Sequence, residues 1–148
     1  MTADHVVKLF EQAPSVPNGL IWLADQLLVL GQHADALSLE ATDGEFLCRV
    51  GESTATIPPP CGRLFRPLLA RLGKAAADES GVEFQPYGGR YELRRAGESG
   101  PVRLDVAIAN TPGEQKVRVK REVLSLRSAP GAMDSTRLQA AVIESVTS

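Results

Sequence analysis

The chain is short of the side chains that most often carry chemistry. Its 148 residues include two cysteines and two histidines. Cys48 and Cys61 form no C-x-x-C pair, and His5 and His33 are too few and too scattered to complete a ligand set, which argues against a zinc site. Cys48 falls in an apolar alternation and reads as a small core residue. Aromatic residues make up only 5%, so Leu, Val and Ala must fill the interior. The longest apolar stretch, residues 20–30, is interrupted by Asp25 and Gln26 and is too short to cross a bilayer. The opening MTADHVVKLF has neither a basic leader nor an apolar run, so a cytoplasmic protein without membrane insertion is expected. A formal net charge of −2, from 16 basic and 18 acidic residues, supplies no general attraction to nucleic acid.

The motifs of catalysis are missing too. No G-x-x-x-x-G-K-[ST] occurs. Its nearest approach, Leu72-Gly73-Lys74-Ala75, lacks the first glycine and the hydroxyl and falls inside a helical pattern, where no loop can converge its N–H groups on a phosphate. There is no G-x-S-x-G elbow. Glu40, Asp43 and Glu114 each have a local structural reading, and no carboxylate pair stands out. These patterns predict a protein that is not an enzyme and binds no metal or cofactor.

What is present suits one compact domain with 43% apolar residues. Thr2 can cap a helix over 3–12, ended by Pro14 and Pro17. Asn18 can cap a second helix over 19–30, so rich in leucine that it should be buried, with Trp22 at its edge. Residues 36–41 and 45–50 alternate around Asp43-Gly44 and predict a hairpin. The stretch 51–62, with Pro58, Pro59 and Pro60, is expected to hold neither regular helix nor a central strand. A third helix is expected over 64–78, with Pro67 in its first turn, and a short extended piece over 82–85. Three strand patterns follow at 91–95, 102–109 and 116–123. A Pro/Gly linker over 128–132 leads to a last helix over 135–146, with Leu138, Ala141 and Val142 on one side. The resulting order, α-α-β-β-α-β-β-β-α, implies an α+β fold with a mostly antiparallel five-stranded sheet and helices on one face.

Pro86-Tyr87-Gly88-Gly89-Arg90-Tyr91, which opens the three final strand patterns, is the most informative stretch. Arg90 after two glycines is the most suggestive cation, read either as an exposed or ion-paired strand-start residue or as an anion or partner contact. Glu114 after Gly113 reads as fixing the turn before the last strand.

Taken in order, these pieces resemble the N-terminal-side, PAS-like "N2" domain of the hexameric secretion ATPases that drive type II secretion and type IV pilus assembly. That family runs through A-S-D-I-H-I-E, V-R-Y-R-I-D-G, a helix with R-[IL]-K, P-Q-D-G-R-[FY], D-L-R-V-S and G-E-x-V-x-x-R. Here residues 34–40 occupy the first motif, Phe46-Leu47-Cys48-Arg49-Val50 the second and Ala70-Arg71-Leu72-Gly73-Lys74 the third. Residues 86–91 keep the P-x-x-G-R-[FY] skeleton, and Leu104-Asp105-Val106-Ala107 and Gly113-Glu114 follow in order. Ala36 and Ser38 stand where the family has Asp and His, Gly51-Glu52 replaces D-G, and Asp105 reverses the charge of an arginine, with Arg103 close by. No ATPase motif accompanies the domain.

The resemblance divides the chain into an N-terminal helix and linker (1–17), the PAS-like domain (18–127) and a linker with a C-terminal helix (128–148). It implies a non-catalytic interaction or adaptor domain that docks on a secretion or pilus ATPase or another component of such a machine. Arg49, Arg90, Tyr91 and Arg103 are the implied partner-binding residues, and Gly89, Gly113 and Glu114 the motif positions. The terminal helices are candidates to cover sheet edges or to mediate a homo-oligomer. The alternative implied by a PAS-like sheet is a small-molecule sensor, with a cavity lined by residues such as Leu39, Phe46, Leu68 and Val106.

Overall fold

The computed structural model describes residues 2–97 and 100–124. Within them α1 (Ala3–Gln12) is followed by a 3-10 turn (Ala13–Ser15) and α2 (Gly19–Gly31). Then come β1 (Ala36–Thr42), β2 (Glu45–Val50), β3 (Ser53–Ile57), the one-turn α3 (Pro59–Gly62) and α4 (Phe65–Ser80). The meander β4 (Gly88–Gly97), β5 (Gly100–Thr111) and β6 (Glu114–Val123) completes it. The 128–132 linker and the 135–146 helix lie outside the described residues.

The sheet has six strands, not five. The additional strand is β3, in the stretch set aside because of its prolines. Those prolines begin only at Pro58, after the strand has ended, and β3 is an edge strand with β2 as its one neighbour. Pro59 and Pro60 then sit at the start of α3, where a missing N–H costs no helical bond. The described order is therefore α-α-β-β-β-α-α-β-β-β, and residues 82–85 are not strand.

The strand order is β3-β2-β1-β6-β5-β4, with every pairing antiparallel. Two three-stranded meanders thus lie side by side, joined where β1 pairs with β6. The β1–β2 hairpin closes on Asp43 (φ 51°) and Gly44 (φ 80°), both left-handed, so its turn twists with the strands. α4 carries the chain from one meander to the other. It ends at Gly81 (φ 75°), whose lack of a Cβ allows the left-handed cap.

α1 packs on β2 and β3, α2 on β1 and β6, and α4 on β4, β5 and β6. The inward residues of all these strands share one apolar cluster with the helices. α1 contributes Val6, Leu9 and Phe10, all buried, so its apolar side is taken up by this core and not left for a second copy. α4 buries Phe65, Leu68, Leu69, Leu72, Ala76 and Ala77 at helical spacing. At the C-terminal end of α2, a Cβ on Gly31 would stand 2.7 Å from Val119 Cγ1, so glycine lets the helix close on β6. Opposite this layer the strands present mainly charged and small polar residues (Arg, Lys, Glu, Asp, Ser, Thr and Ala), with Leu47 of β2 among them. That is the pattern of an antiparallel sheet with one covered and one open face.

Candidate functional site

The register of the six strands defines the open face row by row. One row runs Thr54, Arg49, Ser38, Arg118, Ala107, Arg90 from β3 to β4. Residues facing one another across antiparallel strands point to the same side, so the three arginines stand in line with a small residue between each pair. All three are exposed. A shallow depression of about 370 Å³ opens here, lined by Arg49, Arg90, Arg118, Ser38, Glu40 and Ala107 among others.

Several other arginines of the domain are engaged. Arg94 meets Glu92 at 3.0 Å. Arg121 Nη2 lies 2.6 Å from Asp35 Oδ1, while its Nη1 donates to the Gln32 carbonyl at 3.2 Å. Arg95 donates twice to the Glu79 carboxylate, at 2.9 and 2.6 Å, and once to Gln32 Oε1 at 2.8 Å. The hydrogen bonds to Glu79 favour the charged guanidinium and push Arg95 above its ordinary value. By contrast, Arg49, Arg90 and Arg118 make no ion pair or side-chain hydrogen bond with another described residue. In the adjoining row Lys116 faces Glu40 across β1 and pairs with Glu114 at 3.1 Å, so it is already compensated.

Arg49 and Arg90 are thus brought into one row, although they are 41 positions apart in the chain. Arg103 is on the same face but two rows away, paired with Glu122 and 3.6 Å from Asp105. Tyr91 is on the other face. It is 5% exposed, and its hydroxyl accepts the Gln85 N–H at 3.0 Å, so its side chain belongs to the core and not to a partner surface. Gly89 has a local reason: a Cβ there would stand 2.8 Å from the Tyr91 hydroxyl. Gly113 has none of that kind, since a Cβ would meet nothing within 4 Å. Beside it the Glu114 N–H donates to Thr111 Oγ1 at 3.0 Å, and Gln115 Nε2 donates to the Thr111 carbonyl at 2.6 Å, which fixes the β5–β6 turn from its side chains.

Arg118 was not singled out by sequence. The alternation Lys116, Arg118, Lys120 marks an outward face, but only the β1–β6 pairing shows that Arg118 sits between Arg49 and Arg90.

A second groove, of about 460 Å³, lies on the outer surface between α2 and α4, with Trp22, Ile21, Arg71 and Lys74 in its walls. Trp22 is half-buried against the core at the groove's edge. Leu39, Leu68 and Val106, expected around a sensor cavity, are each at most 1% exposed and belong to the packed cluster, with Phe46 partly buried against it. Among the described residues no three His, Cys, Asp or Glu side chains are grouped to hold a metal ion, and no helix is long and apolar enough to cross a membrane. The domain defined so far is an α+β unit with one packed sheet face and one open, arginine-lined face. A scan against protein-family models matches none, and a search of curated proteins returns no match.

Proposed function

We propose that this is a non-catalytic docking domain that binds a protein partner through the open face of its sheet. The observation that carries the reading is the row Arg49–Arg118–Arg90, three exposed cations in one line across the open sheet face, none with an ion-pair partner among the described residues. Two strands apart, these like charges repel one another only weakly across solvent, and a partner surface of opposite sign can meet all three at once while its charge steers association. The motif order supports a secretion or pilus ATPase as that partner, and a helix-covered antiparallel sheet supports the PAS-like class. The buried Leu39, Leu68 and Val106 favour docking over a sensor, because no described groove opens between them.

Calorimetric titration of the chain into a type II secretion or type IV pilus ATPase from the same cell tests this. Arg90→Glu reverses one charge of the row and should weaken binding about tenfold or more, with an unchanged circular dichroism spectrum. Full-strength binding by the variant rules the row out as the docking surface. An ATPase that ignores the unaltered chain rules out this class of partner.

A further inference from the structure

The repeat of the arginine row says what kind of segment it accepts. Arg49 and Arg118 are two strands apart, as are Arg118 and Arg90, with Ser38 and Ala107 opposite them on the strands between. Two strand spacings amount to about 9.5 Å. Each small side chain leaves a notch flanked by two guanidiniums, and each guanidinium offers up to five donors in a plane that matches a carboxylate. Resting on the docking reading, we propose that this row binds an extended, acidic, proline-rich segment of the partner, one carboxylate to each arginine.

The spacing separates the backbone conformations. A polyproline II segment turns once every three residues and rises about 3.1 Å per residue, so residues i, i+3 and i+6 point the same way about 9.3 Å apart. A β-strand puts same-side residues about 6.7 or 13 Å apart, neither of which matches. An amphipathic helix would require an apolar stripe to receive it. The floor of this face is Ser38, Ala107 and Ala109 instead, with Glu40 and Lys116 alongside. The strand positions of the open face next to the row are also non-aromatic, and Tyr87, 70% exposed, lies just outside β4. A platform for successive nucleic-acid bases is therefore lacking, because unpaired bases bind by stacking on several rings.

The test is a heteronuclear NMR titration of the whole chain with three probes: Glu-Pro-Pro-Glu-Pro-Pro-Glu, its isomer Glu-Glu-Glu-Pro-Pro-Pro-Pro, and a decathymidylate strand. The spaced peptide should move the amides around Arg49, Arg118 and Arg90, and bind about fivefold or more tightly than the clustered isomer, because only it matches all three arginines. Arg118→Thr should remove that preference, whereas Arg94→Thr, two rows away, should keep it. Equal binding of the two peptides overturns the inference, as does tighter binding of the oligonucleotide or equal loss in both variants. A chain that binds the ATPase but shows no preference between the peptides overturns this inference and leaves the docking proposal standing. One that prefers the spaced peptide and ignores the ATPase keeps this inference and rules out the ATPase as the class of partner.

Discussion

On β5, Leu104 is fully buried against the helices, while Arg103, one residue earlier, stands on the open face with a third of its side chain in solvent. The same alternation runs through the sheet and produces two surfaces with different energetics. The covered face is held by apolar burial, worth about 25 cal/mol for each Å² removed from water and indifferent to direction. The open face is held by very little. Its ion pairs are solvated and contribute between nothing and about 1 kcal/mol each. Stability should therefore reside on one face and partner choice on the other. Four substitutions, taken from the largest effect to the smallest, put that division at risk.

Leu104→Ala should produce the largest loss. The side chain is 0% exposed in the middle of the core cluster, and its removal leaves a cavity that the neighbouring strands cannot collapse to fill. The expected cost is about 2–5 kcal/mol, read as a lower urea midpoint. A loss below about 1 kcal/mol would mean that the helix layer closes the gap and that the covered face is less tightly packed than its burial implies.

Cys48 reports on the same face through pH. Burial pushes its thiol from an ordinary 9.0 up to about 11, and its Sγ donates to the Ala3 carbonyl at 3.4 Å. Below pH 9 the folded and unfolded chains both hold the proton, and this contribution to stability is fully present. Between pH 9 and 11 the unfolded chain ionises first, so stability falls. Above pH 11 both are ionised and no more is lost. The decline should be roughly 2–3 kcal/mol. Other groups titrate in that window, so the decisive quantity is the difference between the unaltered chain and Cys48→Ala, whose alkaline decline should be shallower by that amount. Parallel curves would show that Cys48 is reached by solvent in the folded state.

Much of the covered face was legible in the sequence. The limits of α1 and β2 match those expected, although Thr2 makes no side-chain cap bond and the Ala3 N–H donates to Ser53 Oγ instead, and the run Val102, Leu104, Val106, Ile108 announces a strand with one buried side. Periodicity encodes such features locally. β3 was not legible, because its inward residues are Ser53, Ala55 and Ile57, a weak apolar signal next to a proline cluster. The open face depends on register between distant segments. Nothing near Arg118 indicates that Arg49 and Arg90 will flank it, since β1–β6 pairing joins residues some 80 positions apart. One signal was present locally. Arg90 and Tyr91 are adjacent on a strand and must face opposite ways, so they cannot both line one flat surface.

The smallest expected effect is the most discriminating. Arg103 and Arg118 are both arginines on the open face of adjacent strands, one held between Glu122 and Asp105, the other without a partner among the described residues. Threonine at either position keeps a residue that suits a half-exposed strand, so strand preference cancels in the comparison. Arg103→Thr leaves Glu122 without its ion-pair partner and takes a cation from beside Asp105, and should cost about 0.5–1 kcal/mol, more at low salt than at high. Arg118→Thr should be neutral or stabilising by a few tenths of a kcal/mol at low salt, because it removes the middle cation from a line of three. If instead Arg118→Thr destabilises as much as Arg103→Thr, the central arginine is bonded within the domain. Its charge is then part of the fold, and the open face loses the feature that makes it a docking surface.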